Sequence, residues 1–402
     1  MLQCNKRSPV GDARSNPLKI LDALLARRRD AQRDTPVASA PALRDRITAT
    51  IDDALASAGL TRDTVDGAAI AGVIDGALVR AGLRGPGDLP GPAVTQAPLR
   101  AAEAAGRSAT ARDPAGSFLA RTYAGPEGTL AYMLHVPAGY DTDATRRFPL
   151  LVMLHGCTQS PQDFAAGTRM NALADVHGLL VAYPAQSANA NGSRCWNWFR
   201  PKDQARGAGE PALIAGMAAE VTSAYRVDPA RTYVAGLSAG AAMAVVLGRT
   251  YPDVFAAVGV HSGLPYGAAD DVASAFSAMK SGASRGDRAA PRHAEKAVPT
   301  IVFHGDRDHT VTAANGAAVV AQVTGAAPAG LTTQQDSGTA SGGRSYTRTR
   351  HADASGRTLV EEWQVHGGGH AWMGGSAKGT YTDPQGPDAS AEMVRFFLQH
   401  SL

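Results

Sequence analysis

The spacing of apolar residues divides the chain into two regimes that meet near residue 115. Before that point apolar positions recur at helical intervals. Leu18, Leu21 and Leu25 share one face, with Ile20 and Leu24 beside them; Ile47, Ile51 and Leu55 form a second stripe, and Ile70, Ile74 and Leu78 a third. Asp45 and Thr61 stand near the starts of the latter two as caps. Pro- and Gly-rich stretches at 85–92 and 113–116 read as linkers. Aromatic residues are nearly missing here, so residues 1–115 read as a small helical or partly disordered segment. Docking of these helices onto a granule or membrane surface is the alternative to a plain appendage.

Beyond residue 116 the pattern turns to alternating strands and helices. Strands are expected at Leu130–Val136, Pro149–Leu154, Leu179–Tyr183, Thr232–Ala235, Ala257–Val260, Thr300–Phe303 and Leu359–Val365. Helices fit at Phe164–His177, Pro211–Tyr225, Ala239–Thr250, Asn315–Val323 and Ser390–His400. Leu150-Leu-Val-Met-Leu154 is a continuous apolar run, as expected of a strand covered by helices on both faces. Residues 116–402 are therefore expected to form a three-layer α/β domain around a mostly parallel central sheet. The long connection from Leu264 to Ala297 is either a cover for the site or a plain surface insertion.

Composition narrows the function classes. With 44% hydrophobic and 19% charged residues the 402-residue chain is of globular type. A net charge of +3 gives no ground for a nucleic-acid partner, and Arg27-Arg-Arg29 reads as a solvated helix face. No apolar run is long enough to cross a membrane. The opening Met-Leu-Gln-Cys-Asn-Lys-Arg-Ser-Pro lacks a signal-peptide core, which taken literally places the chain in the cytoplasm. Cys4, Cys157 and Cys195 make neither a disulfide framework nor a metal site. Cys157 and Cys195 are either two buried thiols or, in an oxidising compartment, one bridge.

Candidate chemistry lies at strand ends. Gly236-Leu-Ser-Ala-Gly240 joins a β-branched strand to an alanine-rich helix, the sharp turn that lifts a serine nucleophile above a sheet. Ser238 is the candidate. The same pattern at Gly282–Gly286 has no strand before it, so Ser284 is a chance match. In a sheet of this type an acid and then a histidine follow the serine along the chain. Asp306 and Asp308 lie after Thr300–Phe303 and compete for the acid role. His370 follows the flexible Gly367-Gly-Gly369 run and can swing over the sheet as the base, whereas His366 reads as structural. Oxyanion donors are expected from the N–H groups of Ala239, after the nucleophile, and Cys157, in the loop following Pro149–Leu154. Trp372, beside the base, and Trp196 and Trp198 are candidates to line the substrate site, while Trp363 alternates within a strand and reads as core.

Leu154-His-Gly-Cys-Thr-Gln159, Cys195-Trp-Asn-Trp-Phe199, Gly236-Leu-Ser-Ala-Gly240, His304-Gly-x-x-Asp-x-x-Val311 and Gly369-His-x-Trp372 together resemble the polyhydroxybutyrate depolymerase-type esterases, a family of α/β-hydrolases. The resemblance spans about residues 117–402. It implies Ser238 as nucleophile, Asp308 rather than Asp306 as acid, His370 as base, and Cys157 at the oxyanion hole and paired with Cys195. It also implies hydrolysis of carboxylic esters, of polyhydroxyalkanoate polyesters or of feruloyl and acetyl esters, with no metal or cofactor. Many such relatives are secreted, in contrast to the missing signal sequence. The rival outside catalysis is an inactive, hydrolase-like binding protein, against which the complete triad argues.

Overall fold

The computed structural model describes residues 116–283, 297–327 and 329–402. The three expected N-terminal helices with their caps, the 85–92 linker, the granule-docking surface and Ser284 lie outside the described residues.

Ten strands form one sheet. In chain order they are β1 (Ser117–Gly125), β2 (Gly128–Val136), β3 (Phe148–Leu154), β4 (Leu180–Pro184), β5 (Val227–Leu237), β6 (Ala257–His261), β7 (Thr300–Gly305), β8 (Thr332–Thr339), β9 (Ser345–Ala352) and β10 (Thr358–Val365). Their spatial order is β1-β2-β4-β3-β5-β6-β7-β10-β9-β8. The six central strands, β4 to β10, run parallel. An antiparallel pair flanks them on each edge. The expected mostly parallel sheet is what the chain builds.

The apolar runs explain the layering. Along β3 every residue is buried, and alternate side chains go to opposite faces. Leu150, Val152 and Leu154 join one core, and Leu151 and Met153 the other. The first core is closed by α3 (Gly209–Ala224), α4 (Ala239–Thr250), α5 (Val272–Ser281) and α6 (Ala314–Gly325). The second is closed by α1 (Pro161–Thr168), α2 (Met170–His177) and α7 (Ala389–Phe397). Trp363 is buried in the second core, as its alternation within the strand indicated.

The structure departs from the expected elements in three places. The helix expected over Phe164–His177 is two helices, because Arg169 takes φ 56° between them. Its guanidinium reaches Gly374 O at 2.8 Å and Asp388 at 2.6 Å, so tertiary contacts stabilise a break that periodicity does not announce. Strands β1, β8 and β9 are additional to those expected; β8 is Thr-Thr-Gln-Gln-Asp-Ser-Gly-Thr, mostly exposed, and carries no apolar alternation. Within Leu264–Ala297 lies α5, started by a capping box between Asp271 and Ser274.

Candidate active site

Because the central strands are parallel, the loops after β3, β5, β6, β7 and β10 emerge on one rim, where sites of open α/β sheets form. Ser238 follows β5 with φ 58° and ψ −120°, a conformation that costs a non-glycine residue energy and has to be held by its surroundings. The neighbours do hold it. A side chain at Gly236 would strike the Gly240 backbone, and one at Gly240 would strike the carbonyls of Leu154 and His155. These two glycines let β5, the turn and α4 close against β3. The Ser238 N–H donates to His261 O at 2.9 Å, which fixes the turn against β6.

Asp308 and His370 meet after β7 and β10. His370 Nδ1 lies 2.7 Å from Asp308 Oδ2, and the Asp308 side chain is wholly buried. Asp308 Oδ1 accepts the N–H groups of Thr310 and Val311 at 2.9 and 2.8 Å. His304 Nε2 stands 2.8 Å from Val311 O and 3.5 Å from Asp308 Oδ2. Burial alone would raise the Asp308 carboxyl, but the hydrogen bonds from His304, His370 and Val311 and the charge of His370 outweigh it, holding the group well below the usual carboxylate range. An ionised Asp308 keeps the proton of a neutral His370 on Nδ1 and leaves Nε2 able to accept one.

Among the described residues no hydrogen bond joins Ser238 Oγ to His370. One residue links the two loops instead. His261, bonded to Ser238 through its carbonyl, accepts the N–H of Met373 on Nε2 at 3.0 Å, three residues beyond His370. Burial pushes His261 well below the ordinary histidine range, so it stays neutral and able to accept. Its ring stacks on Phe303 and Trp372.

The loop after β3 is equally braced. Gly156 N–H donates to Gln159 Oε1 at 2.9 Å, and Thr158 N–H to Ser193 O at 2.7 Å. Between them, the N–H of Cys157 has no acceptor among the described residues. A disulfide joins Cys157 to Cys195. Ala239 opens α4, where the first N–H groups lack intrahelical partners.

The tryptophan expectations need correction. Trp372 is 1% exposed; it packs edge-on to Phe164, and its indole N–H donates to Ser390 Oγ. Trp196 is also 1% exposed and donates to His155 O, and it lies with Trp198, 5% exposed, in the core opposite Trp372. These rings support the site's loops from within. An aromatic beside these loops that does face out is Tyr381, 48% exposed. Its carbonyl accepts Trp372 N–H at 2.7 Å and its hydroxyl lies 3.3 Å from Thr158 Oγ1, placing it between the His370 loop and the Cys157 loop. Its φ of 52° is the structural signal; nothing in the sequence separates it from other tyrosines.

Asp306 caps the turn after β10, accepting Gly367 N–H at 2.7 Å and lying 3.1 Å from His366 Nδ1. Among the described residues no group of three or more metal-ligating side chains could hold a metal ion, and no helix is long and apolar enough to cross a membrane.

The family model described as esterase PHB depolymerase matches residues 130–342. The chain is 36% identical over 265 residues to poly(3-hydroxyalkanoate) depolymerase C of Paucimonas lemoignei, covering 64% of this chain and 60% of that protein. It is 32% identical over 266 residues to the poly(3-hydroxybutyrate) depolymerase of Ralstonia pickettii, covering 62% and 53%. The match thus spans little more than half the length of these curated relatives. Among solved structures, an acetyl xylan esterase from Aspergillus awamori superposes with a TM-score of 0.53 at 21% identity, over 71% of this chain and 100% of that one, a likeness of fold.

Proposed function

The chain belongs to the esterase PHB depolymerase family, and from that premise we propose that residues 116–402 are a serine esterase acting on polyhydroxyalkanoate-type polyesters or their oligomers. The observation that carries the reading is the buried Asp308–His370 pair on the same rim as the strained Ser238 turn. Ser238 Oγ attacks the ester carbonyl while His370 Nε2 takes its proton and Asp308 holds the imidazole. The N–H groups of Cys157 and Ala239 receive the oxyanion. His370 then protonates the leaving alcohol and activates water against the acyl-enzyme. The mechanism requires a Ser238–His370 hydrogen bond in the reacting complex, where catalytic hydrogen bonds shorten and align. Tyr381 flanks the bound ester in the place first given to Trp372.

The names of the two depolymerases above put polyesters first among substrates. A panel of polyester film, soluble oligomers and aryl, acetyl and feruloyl esters, run on wild type and Ser238→Ala, tests the reading. Polymer erosion by wild type alone supports it. Turnover confined to the small esters would move the substrate to that class, and no turnover of any ester would favour a binding protein.

A further inference from the structure

Glu210 is a buried carboxyl on the first turn of α3 that takes no part in the chemistry above. Its partners are all donors, and all belong to the segment behind the Cys157 loop. Glu210 Oε1 accepts Gln186 Nε2 at 2.6 Å and Asn197 Nδ2 at 2.5 Å, and Oε2 accepts the Asn197 N–H at 2.7 Å. Those partners continue outward. Gln186 Nε2 also reaches Cys195 O at 3.0 Å, and its backbone N–H donates to His155 Nε2 at 3.1 Å. Trp196, between Cys195 and Asn197, donates its indole N–H to His155 O at 3.1 Å. His155 Nδ1 closes the path on Gly156 O at 2.7 Å, and Cys195 is bonded to Cys157.

We propose that Glu210 is the positioning residue for the oxyanion loop, its carboxylate clamping residues 186–197 so that the disulfide and His155 hold the Cys157 N–H toward Ser238. The inference rests on the assignment of Cys157 as an oxyanion donor. Three donors converging on one carboxylate make charge-assisted hydrogen bonds, about twice as strong as neutral ones. Protonation turns all three into the weaker kind and puts a proton on a carboxyl oxygen that already faces a donor. The loop then loosens, and an oxyanion donor displaced by about 1 Å costs on the order of a hundredfold in rate.

The surroundings place that protonation in the working range. Burial is the larger cause and the nearby Asp203 the next, and together they push Glu210 up to about 7 against the pull of its own hydrogen bonds. Asp203, on the 3-10 turn Pro201–Gln204, accepts the Glu210 N–H at 2.8 Å and is itself raised by burial, while Arg200 and Lys202 draw it down. From the β1–β2 turn, Glu127 accepts the Gly209 N–H and pairs with Lys202. On the β3 side, burial holds His155 neutral, so it can accept from Gln186.

The test follows kcat and KM for a soluble aryl ester across pH in the full chain, for wild type, Glu210→Asp and Glu210→Gln. Hydrogen exchange over 154–159 and 186–199, corrected for intrinsic pH dependence, is measured alongside. Wild-type kcat should fall on the acid side more steeply than one ionisation allows, with protection of both segments falling in step. Glu210→Gln should lose about tenfold to a hundredfold in kcat with KM little changed, fall with a single ionisation, and show weak protection at every pH. Glu210→Asp should restore part of both. Wild-type and Glu210→Gln profiles that superimpose after scaling, or wild-type exchange that is flat across neutrality, would overturn the proposal; the exchange measurement decides even if neither variant folds. Ester inactivity with pH-dependent exchange would instead break the esterase reading and leave the coupling of Glu210 to the loop standing.

Discussion

Two histidine–carboxylate pairs stand after the same two strands, β7 and β10. In Asp308–His370 the carboxylate is wholly buried, the histidine side chain is 14% exposed, and the separation is 2.7 Å. In Asp306–His366 the side chains are 33% and 39% exposed, and the separation is 3.1 Å. The histidines differ most in their second nitrogen. His366 Nε2 lies 3.0 Å from Thr347 Oγ1, so both its ring nitrogens are engaged. His370 Nε2 has no partner among the described residues. Residue type alone does not separate the two; His370 combines a buried carboxylate at one nitrogen with an open second nitrogen, the arrangement the proposed base needs.

The comparison can be broken most severely at the carboxylates. Asp308→Asn should reduce kcat on any accepted ester by about ten-thousand-fold, through loss of the tautomer and of imidazolium stabilisation. Asp308 should also show itself in acid. The Asp308 carboxyl lies lower in the folded chain than in the unfolded one, so its stabilisation is complete above the unfolded value and is lost as pH falls toward the folded one. Urea unfolding from pH 7 to 3 should therefore show a steeper acid loss in wild type than in Asp308→Asn. Tyr381→Ala should raise KM about tenfold for bulky or oligomeric esters and change it little for acetyl esters, the scale of one aromatic contact. The smallest effect belongs to Asp306→Asn, which should alter kcat by no more than about fivefold, because half-exposed pairs contribute little. A large loss there would erase the distinction between the pairs.

The fold was legible where burial writes itself into the chain. Leu150–Leu154 reads as a strand between two layers because it is one, and Gly236–Gly240 reads as a sharp strand-to-helix turn because only glycine fits against Leu154 and His155. Polar edge strands such as β8 were not legible, since they bury nothing periodic. The break at Arg169 depends on Gly374 and Asp388, some two hundred residues away in the chain. Within the site, order along the chain was enough to nominate Ser238 and His370, but periodicity could not choose between Asp306 and Asp308. The tryptophans show the limit of adjacency: Trp372 stands two residues from His370 and points inward, onto His261 and Phe164. Glu210 carries no motif; its meaning comes from Gln186 and Asn197 folding onto it.

The central claim is that the hydroxyl at Ser238 is activated by the buried pair and not by its outer neighbour. A serine-directed phosphonate, followed by peptide mass mapping of wild type, His370→Ala and His366→Ala, tests it directly. The expected result is a stoichiometric adduct on Ser238 in wild type and in His366→Ala, formed at closely similar rates, with His370→Ala nearly unreactive. An adduct on another residue, or equal labelling of Ser238 in His370→Ala, would contradict it.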